Sequence, residues 1–135
     1  DRNEHVRRVG ILASYLQRNG VTVVASLISP YAESREFCRN TCDNFIEVYL
    51  STSLEVCEKR DPKGLYKNVR QGKLTQFTGI NAPYEVPSSP HLVLDTSEKS
   101  IDNCVEEILN TIKLNHFGRR SWTTLKFWNL RLSSS

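Results

Sequence analysis

The sequence lacks any run of apolar residues that approaches the roughly 18 of a membrane span. The opening residues, DRNEHVRRVG, also lack the apolar core of a signal peptide. With 39% hydrophobic and 24% charged residues, the 135-residue composition is typical of a globular protein. We therefore expect a single cytoplasmic domain with no membrane partner.

An excess of positive charge is absent from most of the chain. Residues 1–115 contain 14 basic and 15 acidic residues, whereas residues 116–135 contain four basic and no acidic ones. We expect residues 1–115 to form the domain and residues 116–135 to form a basic tail of unclear structure. A nucleic-acid partner is not expected. The alternative, a tail that binds nucleic acid or an acidic surface, depends on those four cations and two tryptophans.

The four cysteines form no CxxC pair. Cys38 and Cys42 would share one face of a helix and are candidate metal ligands, but no second pair of ligands lies nearby in the sequence. Reduced, partly buried thiols are the interpretation we favour, with no metal site.

Helical and strand-like segments alternate along the chain. Helical spacing of apolar residues predicts a helix from Asn3 to Asn19, ended by Gly20. The β-branched run Val21–Leu27 predicts a parallel strand covered on both faces. Further predicted elements are helices over 32–42, 54–60, 65–71 and 101–113, and strands over 45–50 and 91–95. This alternation predicts an α/β fold, with a parallel sheet between layers of helices.

The stretch LISPYAESR, residues 27–35, follows the carboxyl end of the first predicted strand. Ligands gather at this end of the strands in open α/β sheets. Pro30 fixes its own backbone and favours extended geometry at Ser29, which would hold Ile28, Ser29 and Tyr31 in place. The alternative is a plain turn from strand to helix.

A second segment, Arg60 to Glu85, interleaves basic, aromatic and glycine residues. Cations neutralise phosphates, aromatic rings stack on bases, and glycines allow a loop to hinge, so this composition is typical of a lid over a nucleotide. The alternative is a solvated basic helix with a surface loop. The relevant residues are Arg60, Lys63, Lys67, Arg70, Lys73, Tyr66, Phe77, Tyr84, Gly64, Gly72 and Gly79.

Consecutive blocks of the sequence resemble the adenylylsulfate kinase family, whose members are P-loop kinases. The resemblance runs in order from Asp1 to about Ile112, and its most specific runs are DPKGLYK and FTGI. The matching blocks are DRNEHVRRVG, ASLISPYAESR, FIEVYLSTSLEVCEKRDPKGLYKNVRQGKL, FTGINAPYE and LVLDT.

The resemblance implies transfer of the γ-phosphoryl group of ATP to the 3′-hydroxyl of adenosine 5′-phosphosulfate, with Mg²⁺, giving 3′-phosphoadenosine 5′-phosphosulfate and ADP in sulfate assimilation. It implies that Arg2 and His5, in a DRxEN-like block, contact the substrate, and that Phe77 stacks on its adenine beside Thr78 and Gly79. Ser29 corresponds to a serine that is phosphorylated in some members. The remaining implied residues are Ile28, Pro30 and Tyr31 in the substrate loop, and Arg60, Asp61, Pro62, Lys63 and Lys67 in the nucleotide lid.

Two departures from the family pattern carry further expectations. His5 stands where asparagine is usual, so substrate affinity is expected to be weaker or pH-dependent. No GxxxxGK[ST] motif occurs in the 135 residues. The phosphate-binding loop and the strands around it are therefore expected outside this chain, and these residues by themselves are expected to be inactive.

The fold that the resemblance implies has a first strand in the centre of the sheet, and this strand is not among the 135 residues. In the family it lies between the strands that correspond to residues 21–27 and 45–50 here. We expect these two to pair directly, or to expose apolar edges that a partner's strand covers. The chain is also expected to be marginal, without a cooperative thermal transition above roughly 50 °C.

Two functional hypotheses remain open at this point. The first is a piece of a working adenylylsulfate kinase, in a homodimer and with a sulfurylase domain or subunit in some relatives. The alternative is a non-catalytic remnant that binds a sulfonucleotide or regulates an intact kinase. Binding without turnover, and no phosphate-binding loop upstream, would distinguish the remnant.

Overall fold

The computed structural model describes residues 1–74 and 77–116 and the strand 125–128. Its elements are α1 (Arg2–Arg18), β1 (Val24–Leu27), α2 (Ala32–Thr41), β2 (Ile46–Leu50), α3 (Leu54–Arg60), α4 (Leu65–Arg70), β3 (Leu92–Leu94), α5 (Ile101–His116) and β4 (Leu125–Trp128). The elements from α1 to α5 follow the predicted order, β4 was not predicted, and the predicted α/β class with a parallel sheet is confirmed.

Helix α1 has caps at both ends that explain its bounds. The Asp1 carboxylate accepts a hydrogen bond from the Asn3 backbone N–H at 3.0 Å, which satisfies one of the free amides of the first turn. At the other end Gly20 adopts φ +79°, and its N–H donates to the Gln17 carbonyl at 2.9 Å. The predicted glycine stop is therefore confirmed.

The sheet has the order β1-β4-β2-β3, and all its pairs are parallel. Leu125 is paired with Val24 on one side and with Ile46 on the other, so β4 lies between β1 and β2. The expectation that β1 and β2 pair directly or depend on a partner's strand is therefore wrong. Residues 125–128 of the same chain satisfy the backbone groups of both neighbours. The other residues of the predicted basic tail, from residue 117 onward, lie outside the described residues.

Two buried clusters hold helices on opposite faces of the sheet. Since side chains alternate along a strand, Ile46 and Val48 share one face of β2, whereas Phe45, just before it, points to the other. The first cluster, between α1, α2 and the sheet, contains Val6, Ala13, Cys38, Cys42 and Phe45. The second, between β2, β3 and α5, contains Ile46, Val48, Leu94 and Ile108.

The cysteines are free thiols, of which Cys38, Cys42 and Cys57 are buried. The Cys42 Sγ lies 3.5 Å from the Gly10 carbonyl oxygen, across the α1–α2 contact. These three thiols are therefore packing groups, and they are more deeply buried than the partly buried thiols that the sequence predicts. Among the helices of the described residues, none has the length and hydropathy that a membrane span requires.

Candidate functional site

A cleft of about 490 Å³ opens between the first turn of α1 and the loop that follows β1. Its volume lies within the range of small-molecule sites, roughly 300–1,000 Å³. Polar groups and apolar groups both contribute to its lining, which suits a ligand that is part charged and part aromatic. The lining residues are Asp1, Arg2, His5, Val6, Ser26, Leu27, Ile28, Ser29 and Pro30. The structure thus brings together five of the predicted substrate residues, namely Arg2, His5, Ile28, Ser29 and Pro30.

Ser29 is the most constrained residue of this lining. It is 1% exposed, and its Oγ has no hydrogen-bond partner among the described residues. Its φ of +40° lies in the left-handed region, so the prediction of extended backbone geometry before Pro30 is wrong. A hydrogen bond from Arg35 to the Ser29 carbonyl supports this conformation. A buried hydroxyl without a partner is unusual, because most buried polar side-chain atoms are hydrogen-bonded.

Arg2 connects the cleft to the loop at residues 77–82. Its Nη1 donates to the Thr78 Oγ1 at 2.6 Å, a contact between residues 76 positions apart. The loop is closed by hydrogen bonds from the Ala82 N–H to the Phe77 carbonyl and from the Gly79 N–H to the Ala82 carbonyl. Gly79 has φ +89°, which favours glycine there, and it lines a second cleft of about 450 Å³ with residues 80–84 and 86.

Four predicted substrate residues lie outside the lining of the first cleft: Tyr31, Phe77, Thr78 and Gly79. Tyr31 is half-buried and precedes α2, whose Ser34 Oγ and Arg35 N–H both donate to its carbonyl. The Phe77 ring packs edge-to-face on Tyr66 of α4, with ring centroids 4.9 Å apart. The stacking of Phe77 on a substrate base therefore stays a prediction.

The five predicted lid residues, Arg60, Asp61, Pro62, Lys63 and Lys67, surround the junction of α3 and α4. Arg60 donates to both the Oγ1 and the carbonyl of Thr96, each at 2.9 Å. The Asp61 carboxylate accepts from the backbone N–H groups of Tyr66 and Lys67, and so caps α4. Lys63 and Lys67 are exposed, and neither forms an ion pair with a described residue.

A buried ion cluster lies behind the substrate loop, and sequence reasoning missed it. Glu47 of β2 is 3% exposed and contacts Arg35 and Arg39 of α2. Burial raises the pKa of its carboxyl above the ordinary value, while the charges of Arg39 and Arg35 oppose this rise. The glutamate within the apolar strand FIEVYL could have indicated the cluster, because a carboxylate that is buried with its strand needs cationic partners.

His91 adds a titratable group at the edge of this cluster. Its Nδ1 accepts a hydrogen bond from the Glu47 backbone N–H at 3.0 Å. Burial lowers the pKa of this imidazole below its ordinary value of 6.5, and the charge of Arg39 lowers it further. The neutral imidazole is thus favoured, since only the neutral ring can accept at Nδ1.

The described residues do not fit a resident metal site. Within residues 1–74 and 77–116, no group of three or more His, Cys, Asp or Glu side chains lies close enough to hold an ion. These residues therefore offer the implied Mg²⁺ no preformed cluster of protein ligands, and we derive no step through it.

Comparison with known proteins agrees with the resemblance. The family model described as adenylylsulphate kinase matches residues 1–95. The adenylyl-sulfate kinase of Synechococcus sp. (strain JA-3-3Ab) is 47% identical over 113 residues, which cover 84% of this chain and 64% of that protein. The enzyme of the same name from Vibrio cholerae is 44% identical over 122 residues, covering 89% of this chain and 57% of the relative. The chain thus spans about three fifths of the length of these relatives.

A solved structure shows the same arrangement of elements. The APS kinase CysC of Mycobacterium tuberculosis, in complex with AMPPNP and APS, superimposes with a TM-score of 0.79 and 41% identity. The match covers 84% of this chain and 67% of that one. On the match of residues 1–95 and this shared fold, the chain belongs to the adenylylsulphate kinase family.

Proposed function

We propose that this chain forms the sulfonucleotide-binding part of an adenylylsulfate kinase, which phosphorylates the 3′-hydroxyl of adenosine 5′-phosphosulfate. The observation that carries the proposal is the cleft that joins Arg2 to Ser29. A guanidinium group matches phosphate and sulfate oxygens in charge and geometry. The apolar side chains of Val6, Leu27 and Ile28 offer surface to a nucleoside.

The two polar groups of the cleft have complementary roles in this proposal. Arg2 supplies fixed positive charge where the phosphosulfate is negative. Ser29 supplies part of the wall, and its buried Oγ, which has no partner among the described residues, would bond a ligand only after the wall moved to expose it. Since Thr78 already orients the Arg2 side chain, the cation is in place before the ligand arrives.

ATP is the proposed phosphoryl donor, and Lys63 and Lys67 are the described cations that fit its phosphates. Both are exposed. Lys63 follows Pro62 and precedes Gly64, whereas Lys67 lies on the short helix α4, which Gly64 and Gly72 flank. Their task would be to neutralise phosphate charge when the lid closes. Mg²⁺, a homodimer, a sulfurylase partner and a cytoplasmic location stay predictions from the sequence.

Isothermal titration with adenosine 5′-phosphosulfate tests the proposal on the 135-residue chain. Arg2→Ala is expected to weaken binding by about tenfold or more, since it removes a charged hydrogen-bond donor from the cleft. Arg8→Ala is the matched control, because Arg8 lies on the same helix, where its Nε pairs with Glu4 at 3.0 Å in solvent. Absence of binding by the unsubstituted chain, or equal effects of the two substitutions, would contradict the proposal.

The same protein then distinguishes a kinase from a chain that only binds. Incubation with ATP, Mg²⁺ and adenosine 5′-phosphosulfate is expected to give no 3′-phosphoadenosine 5′-phosphosulfate, since the GxxxxGK[ST] motif is not among the 135 residues. Product formation would show that this 135-residue chain is sufficient for transfer.

A further inference from the structure

The ion cluster behind the cleft holds the buried Arg35 side chain against a buried carboxylate. The Arg35 side chain is 5% exposed, and its Nε lies 3.2 Å from the Oε1 of Glu47, which is 3% exposed. The other carboxylate oxygen of Glu47 accepts from Arg39. A buried carboxylate between two guanidinium groups leaves Arg35 little freedom to rotate.

The two terminal nitrogens of Arg35 reach two different loops. Its Nη1 donates to the Ser29 carbonyl at 2.8 Å, and its Nη2 donates to the Glu85 carbonyl at 2.7 Å. Ser29 belongs to the wall of the cleft, whereas Glu85 ends the segment whose Thr78 bonds Arg2. One planar side chain therefore bridges the two loops that border the site.

Hydrogen bonds between the loops reinforce this bridge. The Glu85 N–H donates to the Pro30 carbonyl at 2.8 Å, and the Ala32 N–H donates to the Glu85 Oε2 at 2.5 Å. Ser29 meanwhile adopts a left-handed φ that few residues other than glycine take up. Such a conformation persists only where the surroundings hold it, and the Arg35 contact to the Ser29 carbonyl does so.

We propose that Arg35 is a positioning residue that holds the Ser29 and Glu85 loops together around the sulfonucleotide cleft, with Glu47 as its anchor. The identity of the ligand rests on the proposed function. Arginine is required because its rigid fork serves two carbonyls and a carboxylate at once, whereas a lysine ammonium cannot span these three acceptors.

The test compares two matched substitutions, Arg35→Lys and Arg39→Lys. Both residues contact Glu47 from α2, and lysine keeps a positive charge beside that carboxylate in either variant. Of the two residues, it is Arg35 that donates to the carbonyls of Ser29 and Glu85. Amide hydrogen exchange at Ala32 and Glu85 reports the bond between the loops, and titration with adenosine 5′-phosphosulfate reports the cleft.

Arg35→Lys is expected to speed exchange at Ala32 and Glu85 by about tenfold and to weaken binding by a similar factor. Arg39→Lys is expected to change neither by more than about threefold. Equal effects of the two substitutions, or no effect of Arg35→Lys, would overturn the proposal. If the unsubstituted chain does not bind the sulfonucleotide, the proposed function fails, and the exchange rates alone decide whether Arg35 joins the loops.

Discussion

The wall of the cleft and the lid residues beside it are held in different ways. The wall residues 28–32 and their neighbours are bonded to residues 50 or more positions away, through the contacts Arg2–Thr78, Arg35–Glu85 and Ala32–Glu85. At the lid, the Asp61 carboxylate reaches only five and six positions along the chain, to Tyr66 and Lys67. Arg60 is the lid residue with a long-range bond, to Thr96.

In the proposed function, this difference separates the binding surface from the segment that we expect to move. Long-range hydrogen bonds connect the wall to α2 and to Glu85, so we expect the wall to open together with these elements. The lid is anchored at Arg60. The hydrogen bonds of Asp61 are local, which would permit hinge motion of Lys63 and Lys67 over a ligand. Substitutions that weaken one region should leave the other intact.

The largest effect is expected from Glu47→Ala, which removes the anchor of the wall. Two arginines at the α2–β2 contact would lose their buried counter-ion, and we expect the free energy of unfolding to fall by about 3–5 kcal/mol. Urea denaturation measures this change. The control is Glu36→Ala, because Glu36 is 61% exposed and contacts Arg39 from the surface. A loss below about 1 kcal/mol for Glu47→Ala would show that the cluster does not stabilise the wall.

An intermediate effect is expected from Asp61→Ala, which affects the lid alone. The variant loses the carboxylate that caps the first turn of α4, at a cost of about 1 kcal/mol. Amide exchange should accelerate over residues 65–70 and stay unchanged at Ala32 and Glu85. Asp43→Ala, at an exposed turn after α2, is the control. Equal acceleration in the wall would contradict the independence of the two regions.

The smallest effect is expected from the titration of His91, at the edge of the wall. Its folded pKa lies below 6.5, so the folded chain binds fewer protons than the unfolded chain and loses stability as the pH falls below that value. Because the imidazole is largely exposed, we expect less than about 1 kcal/mol. Unfolding midpoints at pH 7.5 and 5.5 measure the loss. The His91→Asn variant should show a smaller difference between these two midpoints than the unsubstituted chain. If the difference between the two midpoints is the same in the variant, the loss of stability at low pH belongs to other titratable groups.

Local sequence patterns predicted most of the elements. The helical spacing of Val6, Val9 and Leu16, and the glycine that follows, were sufficient for α1. Strand β1 begins at Val24 rather than Val21, because its extent depends on where β4 pairs with it. β4 itself could not be predicted: LKFW has no clean period, and its parallel partners lie about 80 or more positions away.

The candidate site was predicted in part, for the same physical reason. Arg2, His5 and residues 28–30 were found from motifs that are contiguous in the sequence, and the structure brings them into one cleft. Arg35 was missed because its role depends on Ser29, Glu47 and Glu85, which only the fold brings together. The glutamate inside an apolar strand was the one local sign of this cluster.

Chemical-shift mapping with adenosine 5′-phosphosulfate shows where on this 15.5 kDa chain the ligand binds. If the cleft between α1 and the loop after β1 is the binding site, saturating ligand will shift the amide signals of Arg2, His5, Ile28, Ser29 and Thr78 more than those of the lid residues. No shift at saturation, or shifts centred away from Arg2 and Ser29, would contradict the assignment of the cleft as the sulfonucleotide site.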